Sequence, residues 1–290
     1  MYCGGTCPKD VVTKMMNMKH LCLIISILLC CSCAKPDGLR VMSYNIRYAT
    51  AKDGENDWNL RRPATIAMLD DISPDCFGVQ EALDCQLAYI VEQAPDYKYV
   101  GVGRDDGRKK GETMAIFYSA SRLDLLDWGT YWLSETPDVP SIGWDAACRR
   151  TATWALLSQK STGRKFFYVN THLDHVGKVA RRNGLAMVVQ NIADMNPDGY
   201  PMILTGDFNV YPDDPCLADL DKMMLSARKT ATDSDSMGSF NGWTDRKDVI
   251  IDYIYYSRFS ACNNFKVVVK KYCDVPFISD HYPILADLAF

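Results

Sequence analysis

The chain has 290 residues, of which 48% are hydrophobic and 23% are charged, and its formal net charge is −4 at pH 7. This length suits one large domain or two small ones, and the ordinary content of glycine (18) and proline (13) excludes a collagen-like or low-complexity chain. A protein that coats duplex DNA usually has an excess of basic residues, so the acidic balance weighs against that role.

The first 33 residues differ from the rest of the chain and are typical of a secretion leader. Lys19 precedes the apolar run Leu21 to Cys33. This run is too short to cross a bilayer as a helix, which needs about 20 residues. A positive residue before a short apolar run indicates a secretory signal and favours Met18 as the true start.

The end of this leader resembles a bacterial lipoprotein signal, in which a cysteine after a small residue receives the lipid. Cys33, preceded by Ser32, is the predicted lipid site, and Cys31 is the alternative. We therefore expect a leader over residues 1–33 and one folded domain over residues 34–290. The mature protein is expected to be exported and held at the bacterial cell envelope through its N-terminal lipid.

Apolar runs recur through the rest of the chain and predict strands interleaved with helices. In chain order, the predicted elements are the strand Leu39–Ile46, the helix Asn59–Asp71, the strand Asp75–Gln80, the helix Leu83–Gln93, the strands Tyr97–Gly103, Thr113–Tyr118, Leu123–Trp132, Thr151–Ser158 and Lys165–Thr171, the helix Gly177–Ala193, the strand Pro201–Thr205, a short helix near Pro215–Leu225, and the strands Val249–Tyr256, Phe265–Lys271 and Ile284–Ala289. Many successive strands have no helix between them, which predicts mixed sheets with helices outside.

One pattern repeats along the chain: a polar residue able to hold a metal or a phosphate stands next to one end of an apolar strand. These residues are Asn45, Glu81, His172, Asp207 with Asn209, Asp252, and Asp280 with His281. Taken singly, each has an ordinary structural explanation, such as a turn aspartate or a core histidine. Six such events indicate a site, because loops at one rim of a sheet converge on a cleft.

The blocks around these residues, in this order, resemble the signature blocks of the endonuclease/exonuclease/phosphatase superfamily. They are Ser43-Tyr44-Asn45-Ile46-Arg47, Gln80-Glu81, Asn170-Thr171-His172-Leu173-Asp174, Gly206-Asp207-Phe208-Asn209, Ile251-Asp252-Tyr253-Ile254 and Ser279-Asp280-His281-Tyr282-Pro283. The resemblance implies a four-layer αββα sandwich of two mixed sheets flanked by helices, with the site at the sheet edges. Within the superfamily, the chain is similar to an uncharacterised bacterial branch, which does not fix a substrate.

The resemblance implies a metal-dependent site, and the chemistry of phosphoesters agrees with it. A phosphoester is anionic and needs charge neutralisation in its transition state, which Mg²⁺ or Mn²⁺ bound by carboxylates supplies. Glu81 is the expected metal ligand, with Asp280 and Asn45 beside it. Asn45 is also expected to orient the substrate phosphate.

The remaining residues have expected roles in catalysis. Asp207 aligns or deprotonates the attacking water, and Asn209 hydrogen-bonds the phosphate. His281 stabilises the phosphoryl oxygens, or acts as acid or base, and is oriented by its neighbour Asp280. Asp252 supports this cluster.

A second group lies on the other side of the phosphate. His172 is expected to contact the phosphate there, and by resemblance Glu112 pairs with it. Asp174 is a candidate for shaping substrate choice, and Arg150 for holding a substrate phosphate with two hydrogen bonds. An ordinary surface role remains the alternative for both residues.

These observations predict a divalent-metal-dependent phosphoester hydrolase, either a phosphodiesterase or a phosphatase, that acts as a monomer outside the cytoplasm. Its substrate is a small molecule, a lipid headgroup or a nucleic acid, and an exported nuclease acting on DNA or RNA is the alternative. A non-catalytic binding module of the same fold predicts the loss of Glu81, Asp207, Asp280 or His281. All four are present.

Overall fold

The computed structural model describes residues 37–290. The leader at 1–33 and both candidate lipid sites lie outside the described residues, so export and lipid anchoring stay predictions. Among residues 37–290, no helix combines the length and the apolar character needed to cross a membrane.

Strands dominate the described chain. Its strands are β1 (Gly38–Asn45), β2 (Cys76–Gln80), β3 (Tyr97–Val100), β4 (Ile116–Ser119), β5 (Leu123–Trp132), β6 (Thr151–Gln159), β7 (Lys165–His172), β8 (Met202–Asp207), β9 (Leu225–Ser226), β10 (Asp233–Ser234), β11 (Asp252–Ser257), β12 (Ala261–Val267) and β13 (Ile284–Ala289). Its α-helices are α1 (Trp58–Ile72), α2 (Asp84–Gln93), α3 (Lys178–Met195), α4 (Ala218–Met223) and α5 (Ala227–Thr230), with 3₁₀ turns at Gly54–Asn56 and Pro215–Leu217.

The strands form two mixed sheets. The seven-stranded sheet has the order β10-β12-β13-β1-β2-β4-β3, and the six-stranded sheet has the order β5-β6-β7-β8-β11-β9. Each sheet contains a central parallel pair, β1 with β2 and β7 with β8, and antiparallel neighbours such as β13 beside β1 and β11 beside β8. The predicted pair of mixed sheets is confirmed.

Neighbouring residues in the central strands point to different layers. In β1, Val41 packs in the core between the two sheets, whereas Met42 packs against α1 and α2. In β8, Ile203 faces the same central core and Leu204 packs against α3. Because side chains alternate across a strand, strands buried on both faces place helices outside each sheet, and the four-layer αββα sandwich follows.

Two of the predicted strands that differ from the structure show how strand pairing sets the strand boundaries. The strand predicted over Val249–Tyr256 begins at Asp252, because its partner β8 ends at Asp207, the residue opposite Asp252. The strand predicted over Phe265–Lys271 lies at Ala261–Val267, because β13 begins at Ile284, opposite Val267. An apolar run that continues past the partner strand does not extend the ladder.

Candidate active site

Strand register places three of the predicted residues side by side at one edge of the six-stranded sheet. His172 of β7 lies opposite Asp207 of β8, and Asp207 lies opposite Asp252 of β11. In the other sheet, Asn45 of β1 lies opposite Gln80, directly before Glu81. The strand ends that the sequence pattern singled out therefore gather at the edges of both sheets.

Asn45 joins the two sheet edges. Its Nδ2 donates to Glu81 Oε1 at 3.1 Å and to Asp207 Oδ2 at 3.0 Å, and lies 3.5 Å from His281 Nε2. Its side chain is 1% exposed. Because one buried amide holds both carboxylates, the candidate metal ligand and the candidate water-activating residue have fixed positions relative to each other.

Three residues at the site have left-handed backbone conformations: φ is 57° at Arg47, 64° at Glu81 and 52° at Asn209. For residues other than glycine this costs on the order of 1–3 kcal/mol each. Side chains of the site hold two of these turns, since Asn45 Oδ1 accepts from the amide of Arg47 and Asp207 Oδ1 accepts from the amide of Asn209, both at 3.0 Å. The three turns lie just after strand ends, and the left-handed residues themselves border one cavity.

His281 is buried and positively charged. Its Nδ1 donates to Asp252 Oδ2 at 2.8 Å, and its Nε2 lies 3.7 Å from Asp207 Oδ2. Burial opposes the charge, but the carboxylates of Asp252, Asp207 and Asp280 outweigh it and raise the pKa of His281 to about 10. Because Nδ1 is bound to Asp252, the Nε2–H is the donor left for a phosphoryl oxygen.

The partner of His281 differs from the expected one. Asp252, not Asp280, accepts its Nδ1–H. The carboxylate of Asp280 instead accepts from Ser279 Oγ at 3.2 Å and lies 3.7 Å from the guanidinium of Arg47. Since Ser279 is adjacent in sequence and holds it, Asp280 turns toward Arg47 and not back onto the histidine ring.

His172 is buried and neutral. Burial, and after it the charges of Arg150 and Arg104, lower the pKa of His172 well below its usual value. Its Nε2 lies 3.1 Å from Asn209 Nδ2, which also donates to the carbonyl of Leu173 at 3.0 Å. The Nδ1 atom is buried and has no hydrogen-bond partner among the described residues.

The predicted pair between Glu112 and His172 is wrong. Glu112 instead accepts two hydrogen bonds from the guanidinium of Arg104, at 2.7 and 2.8 Å. A guanidinium offers a carboxylate two parallel, charged donors, which a neutral imidazole does not. Glu112 nevertheless borders the same cavity as His172.

Asp174, a candidate for shaping substrate choice with an ordinary surface role as the alternative, is neither on the surface nor in the cavity lining. It is 1% exposed, and its carboxylate accepts from Arg150 Nε at 3.2 Å and from the amide of Gly177 at 2.7 Å. Arg150 does border the cavity, and its Nη2 lies 3.0 Å from His175 Nδ1. Asp174 therefore holds Arg150 in place from behind.

One cavity of about 720 Å³ joins these residues. The predicted residues that line it are Glu81, Glu112, Arg150, His172, Asp207, Asn209, Asp280 and His281. Asn45, Asp252 and Asp174 lie behind this lining, where they position other side chains, so the structure does not support direct substrate contact by Asn45.

Sequence analysis missed several residues of the lining. Arg104, Cys148, Tyr211 and Arg246 border the cavity without being assigned to the site. They lie in loops and not at the ends of apolar strands, so the strand-end pattern carried no signal for them.

The acidic residues fit a hard divalent cation. Burial and the nearby charges of Asp252 and Glu81 raise the pKa of Asp207, and burial and Glu81 raise the pKa of Asp280. Carboxylates crowded in this way are stable as anions beside a cation, and oxygen donors are those that Mg²⁺ and Mn²⁺ prefer. Glu81, Asp207 and Asp280 all border the cavity, and Glu81 and Asp280 are the two carboxylates that the sequence assigns to a metal.

A further trio, Asp207, Asp252 and His281, has ligand atoms within 4.8 Å of one another. These residues already contact each other, because His281 Nδ1 donates to Asp252.

Comparisons with known proteins agree with this geometry. A model of the Endonuclease/Exonuclease/phosphatase family matches residues 42–281. The solved mannosyl-6-phosphatase of Bacteroides thetaiotaomicron is 36% identical with a TM-score of 0.83, and the match covers 87% of this chain and 100% of that chain. An endonuclease/exonuclease/phosphatase family protein from the same organism is 34% identical with a TM-score of 0.84, covering 88% and 98%. An uncharacterized protein of Acanthamoeba polyphaga mimivirus is 27% identical over 250 residues, which are 79% of this chain and 91% of that protein.

Proposed function

This chain belongs to the endonuclease/exonuclease/phosphatase family, and on that basis we propose that it hydrolyses small phosphomonoesters, of the sugar phosphate type, with the help of Mg²⁺ or Mn²⁺. The observation that carries the proposal is the buried cluster in which Asn45 joins Glu81 to Asp207, 3.5 Å from His281. Its carboxylates, amide and charged imidazole are the groups that phosphoester hydrolysis needs in one place.

Different residues of the chain act on the attacking water and on the phosphoryl group. Asp207, held by Asn45 and by the amide of Asn209, orients the attacking water and accepts its proton. His281 donates from Nε2 to a phosphoryl oxygen while Asp252 holds Nδ1. When bound at Glu81 and Asp280, the cation supplies the positive charge that the phosphoryl group requires in the transition state.

The charges around the cavity favour a single phosphate over a nucleic acid. Each arginine that lines the cavity has a carboxylate partner: Arg47 with Asp53 at 3.0 Å, Arg104 with Glu112 at 2.7 Å, Arg150 with Asp174 at 3.2 Å and Arg246 with Asp248 at 3.0 Å. Proteins that bind nucleic acid neutralise a row of phosphates with arginines and lysines, and these arginines are already neutralised. The relative described as a mannosyl-6-phosphatase supports the same substrate class.

A substrate panel tests the proposal. The purified protein, first treated with EDTA, is assayed with Mg²⁺ or Mn²⁺ on hexose 6-phosphates, on phosphodiesters of lipid headgroups, and on DNA and RNA oligonucleotides. We expect hydrolysis of the hexose phosphates that depends on the added cation. A higher kcat/KM on oligonucleotides would establish the nuclease alternative, and no turnover of any substrate would indicate a non-catalytic member of the family.

The location of the protein is a separate proposal, supported by the leader sequence alone. We propose that the mature protein is a monomer anchored at the bacterial cell envelope through Cys33 or Cys31. Mass spectrometry of the protein from a membrane fraction should find a lipid on the cysteine at its N-terminus. An unmodified N-terminus upstream of residue 30 would contradict this.

A further inference from the structure

One side of the cavity is built from charged side chains that are paired with each other. This surface, the arginine wall, consists of Arg104, Glu112, Arg150 and His175, all of which line the cavity. It adjoins the catalytic cluster, because His172, Asp207 and His281 line the same cavity. A group attached to a phosphate bound at that cluster therefore lies against this wall.

Arg104 and Glu112 are held rigidly. Their side chains are joined by two hydrogen bonds and are only 14% and 15% exposed. Their main chains are also joined, since the amide of Arg104 donates to the carbonyl of Glu112 at 2.9 Å. The carbonyl of Arg104 accepts from the indole of Trp132 at 2.7 Å. A pair fixed in this way presents the same donors and acceptors to every ligand.

Arg150 has a donor without a partner. It is 5% exposed, Asp174 accepts from its Nε, and its Nη2 is used by His175, but its Nη1 is buried and has no hydrogen-bond partner among the described residues. Leaving a buried donor of a charged group unsatisfied is costly, and such groups usually have a function. Because Arg150 lines the cavity, a ligand in the cavity can supply the missing acceptor.

The pairing of charges in the arginine wall indicates which kind of ligand group it can bind. The charge of Arg104 is neutralised by Glu112 and that of Arg150 by Asp174. A second phosphate at this wall would be repelled by the carboxylate of Glu112, and no unpaired cation of the wall would offset that repulsion. A hydroxyl group, in contrast, both donates and accepts, so it can donate to Glu112 and accept from a guanidinium N–H.

Another part of the cavity lining is apolar. It includes Val210, Phe240, Val249 and Ile251, and Tyr211, which is 59% exposed. A cavity lined partly by apolar side chains and partly by a few fixed polar groups suits a ligand with both kinds of surface. The ring of a sugar has such surfaces, with C–H faces and a rim of hydroxyls.

From these observations we infer that the arginine wall is a leaving-group subsite, which recognises the hydroxyl groups of a polyol attached to the phosphate. The inference rests on the proposed function. It means that substrate specificity depends on the four residues of the wall, Arg104, Glu112, Arg150 and His175. A phosphoester without hydroxyls on its leaving group gains nothing from this wall.

Two substrates separate the subsite from the phosphate site. The kcat/KM of the full-length protein is measured on a hexose 6-phosphate and on 4-nitrophenyl phosphate, whose leaving group carries no free hydroxyls, and the ratio of the two values is compared between wild type and variants. Comparing ratios cancels the different chemical reactivity of the two esters. Glu112→Gln should lower the ratio at least about tenfold, which is the loss expected when a site built to hydrogen-bond a substrate loses one charged partner.

Two further variants complete the experiment. His175→Ala changes an exposed residue of the wall, so it should fold even where Glu112→Gln does not, and it should lower the ratio at least about threefold. Asp124→Asn is the matched control: Asp124 pairs with Lys160 at 3.2 Å, is 57% exposed and lies outside the cavity lining. It should leave the ratio unchanged.

The inference is overturned if Glu112→Gln and His175→Ala lower both activities equally, or lower neither. Those results differ from failure of the proposed function, in which the wild-type protein itself hydrolyses neither ester. Inhibition constants of a hexose 6-sulfate and of phenyl sulfate give a readout of binding without the chemical step. In wild type the hexose sulfate should bind more tightly, and His175→Ala should remove most of this difference.

Discussion

Asp207 and His281 show how opposite charges are kept in contact inside the protein. Both side chains are almost fully buried, and His281 Nε2 lies 3.7 Å from Asp207 Oδ2. Burial raises the pKa of Asp207, whereas the surrounding carboxylates raise the pKa of His281. The arrangement suits catalysis better than stability, because acidic groups that repel each other are held together.

The first prediction concerns these two residues. Asp207→Asn removes the group that prepares the water, and His281→Ala removes a preorganised donor, so each should lower kcat at least about a hundredfold. The double variant should fall little further than the worse single one, because residues that act as one unit are not additive. Asp207→Asn should keep or increase thermal stability, since it relieves repulsion between buried carboxylates.

Steady-state kinetics and thermal unfolding check this prediction together. Asp219→Asn serves as the control, because that aspartate is 75% exposed and pairs only with Lys222. If His281→Ala retained activity within about threefold of wild type on the best substrate, His281 would be structural in this chain.

The second prediction concerns the metal. Glu81→Gln keeps the size of the side chain and removes one negative charge from the proposed metal site, so the Mg²⁺ concentration that gives half-maximal activity should rise at least about tenfold. A cation that binds only the folded state raises its stability. Mg²⁺ should therefore raise the melting temperature of wild type more than that of Glu81→Gln. A variant fully active at limiting Mg²⁺ would show that Glu81 is not a ligand.

At the scale of secondary-structure elements, helix α1 holds the site together through one buried arginine. Arg61 is 1% exposed, and its guanidinium donates to the carbonyls of Ile46 at 2.6 Å, of Arg47 at 2.8 Å and of Ile278 at 2.9 Å. Ile46 directly follows Asn45, and Ile278 lies just before Ser279. The helix thus fixes the loop that follows Asn45 and the loop that carries Asp280 and His281.

The third prediction follows from this arrangement. Arg61→Met fills similar space but leaves several buried carbonyls without donors, so it should lower the free energy of unfolding by about 3 kcal/mol and reduce kcat as well. Arg62→Met is the matched control, since Arg62 packs over the ring of Tyr89 at 4.8 Å and should lose less than about 1 kcal/mol. Urea unfolding and kinetics of both variants check it. Equal losses in the two variants would contradict the role given to Arg61.

The turn before helix α3 depends on a carboxylate. Burial would raise the pKa of Asp174, but the amides of Gly177, Val176 and Ala147 and the guanidinium of Arg150 outweigh burial and lower it. A carboxyl whose pKa is lower in the folded state stabilises the fold fully above its unfolded pKa of about 4. This stabilisation is lost as the pH falls toward the folded value.

The fourth prediction uses this dependence. Asp174→Asn should be less stable than wild type near pH 7, and the difference in unfolding free energy should shrink below about pH 4 as the wild-type carboxyl takes up its proton. Urea unfolding near pH 7 and near pH 3 measures the difference. A difference that stays the same at both pH values would mean that the charge of Asp174 does not stabilise the turn.

At the scale of the whole molecule, the sequence predicts the strands and helices of the four layers well, because these elements depend on the local alternation of apolar and polar residues. Leu123–Trp132 and Ile284–Ala289 match their predicted bounds, and most other strands differ by a few residues at their ends. The strand-end residues also lie together as predicted, because the parallel pairs bring neighbouring strand ends to one edge.

The hydrogen-bond partner that each site residue takes could not be predicted from the sequence in this way. Glu112 has Arg104, His172 and solvent as possible partners, and His281 has both Asp252 and Asp280 as neighbours, so only the packed geometry decides which bond forms. Residues of the cavity that come from loops, such as Tyr211, follow no periodic pattern. Sequence reasoning therefore finds the catalytic groups more readily than the groups that choose the substrate.

The bridge made by Asn45 has a consequence for how the chain folds. Asn45 and His281 are 236 residues apart in sequence, and β1 pairs with β13, the last strand. Contacts between such distant segments form slowly, because a long loop must close before they contribute stability. In a refolding experiment, helical and sheet signals should return before enzymatic turnover does, so that regained activity reports the closure of the chain ends onto each other.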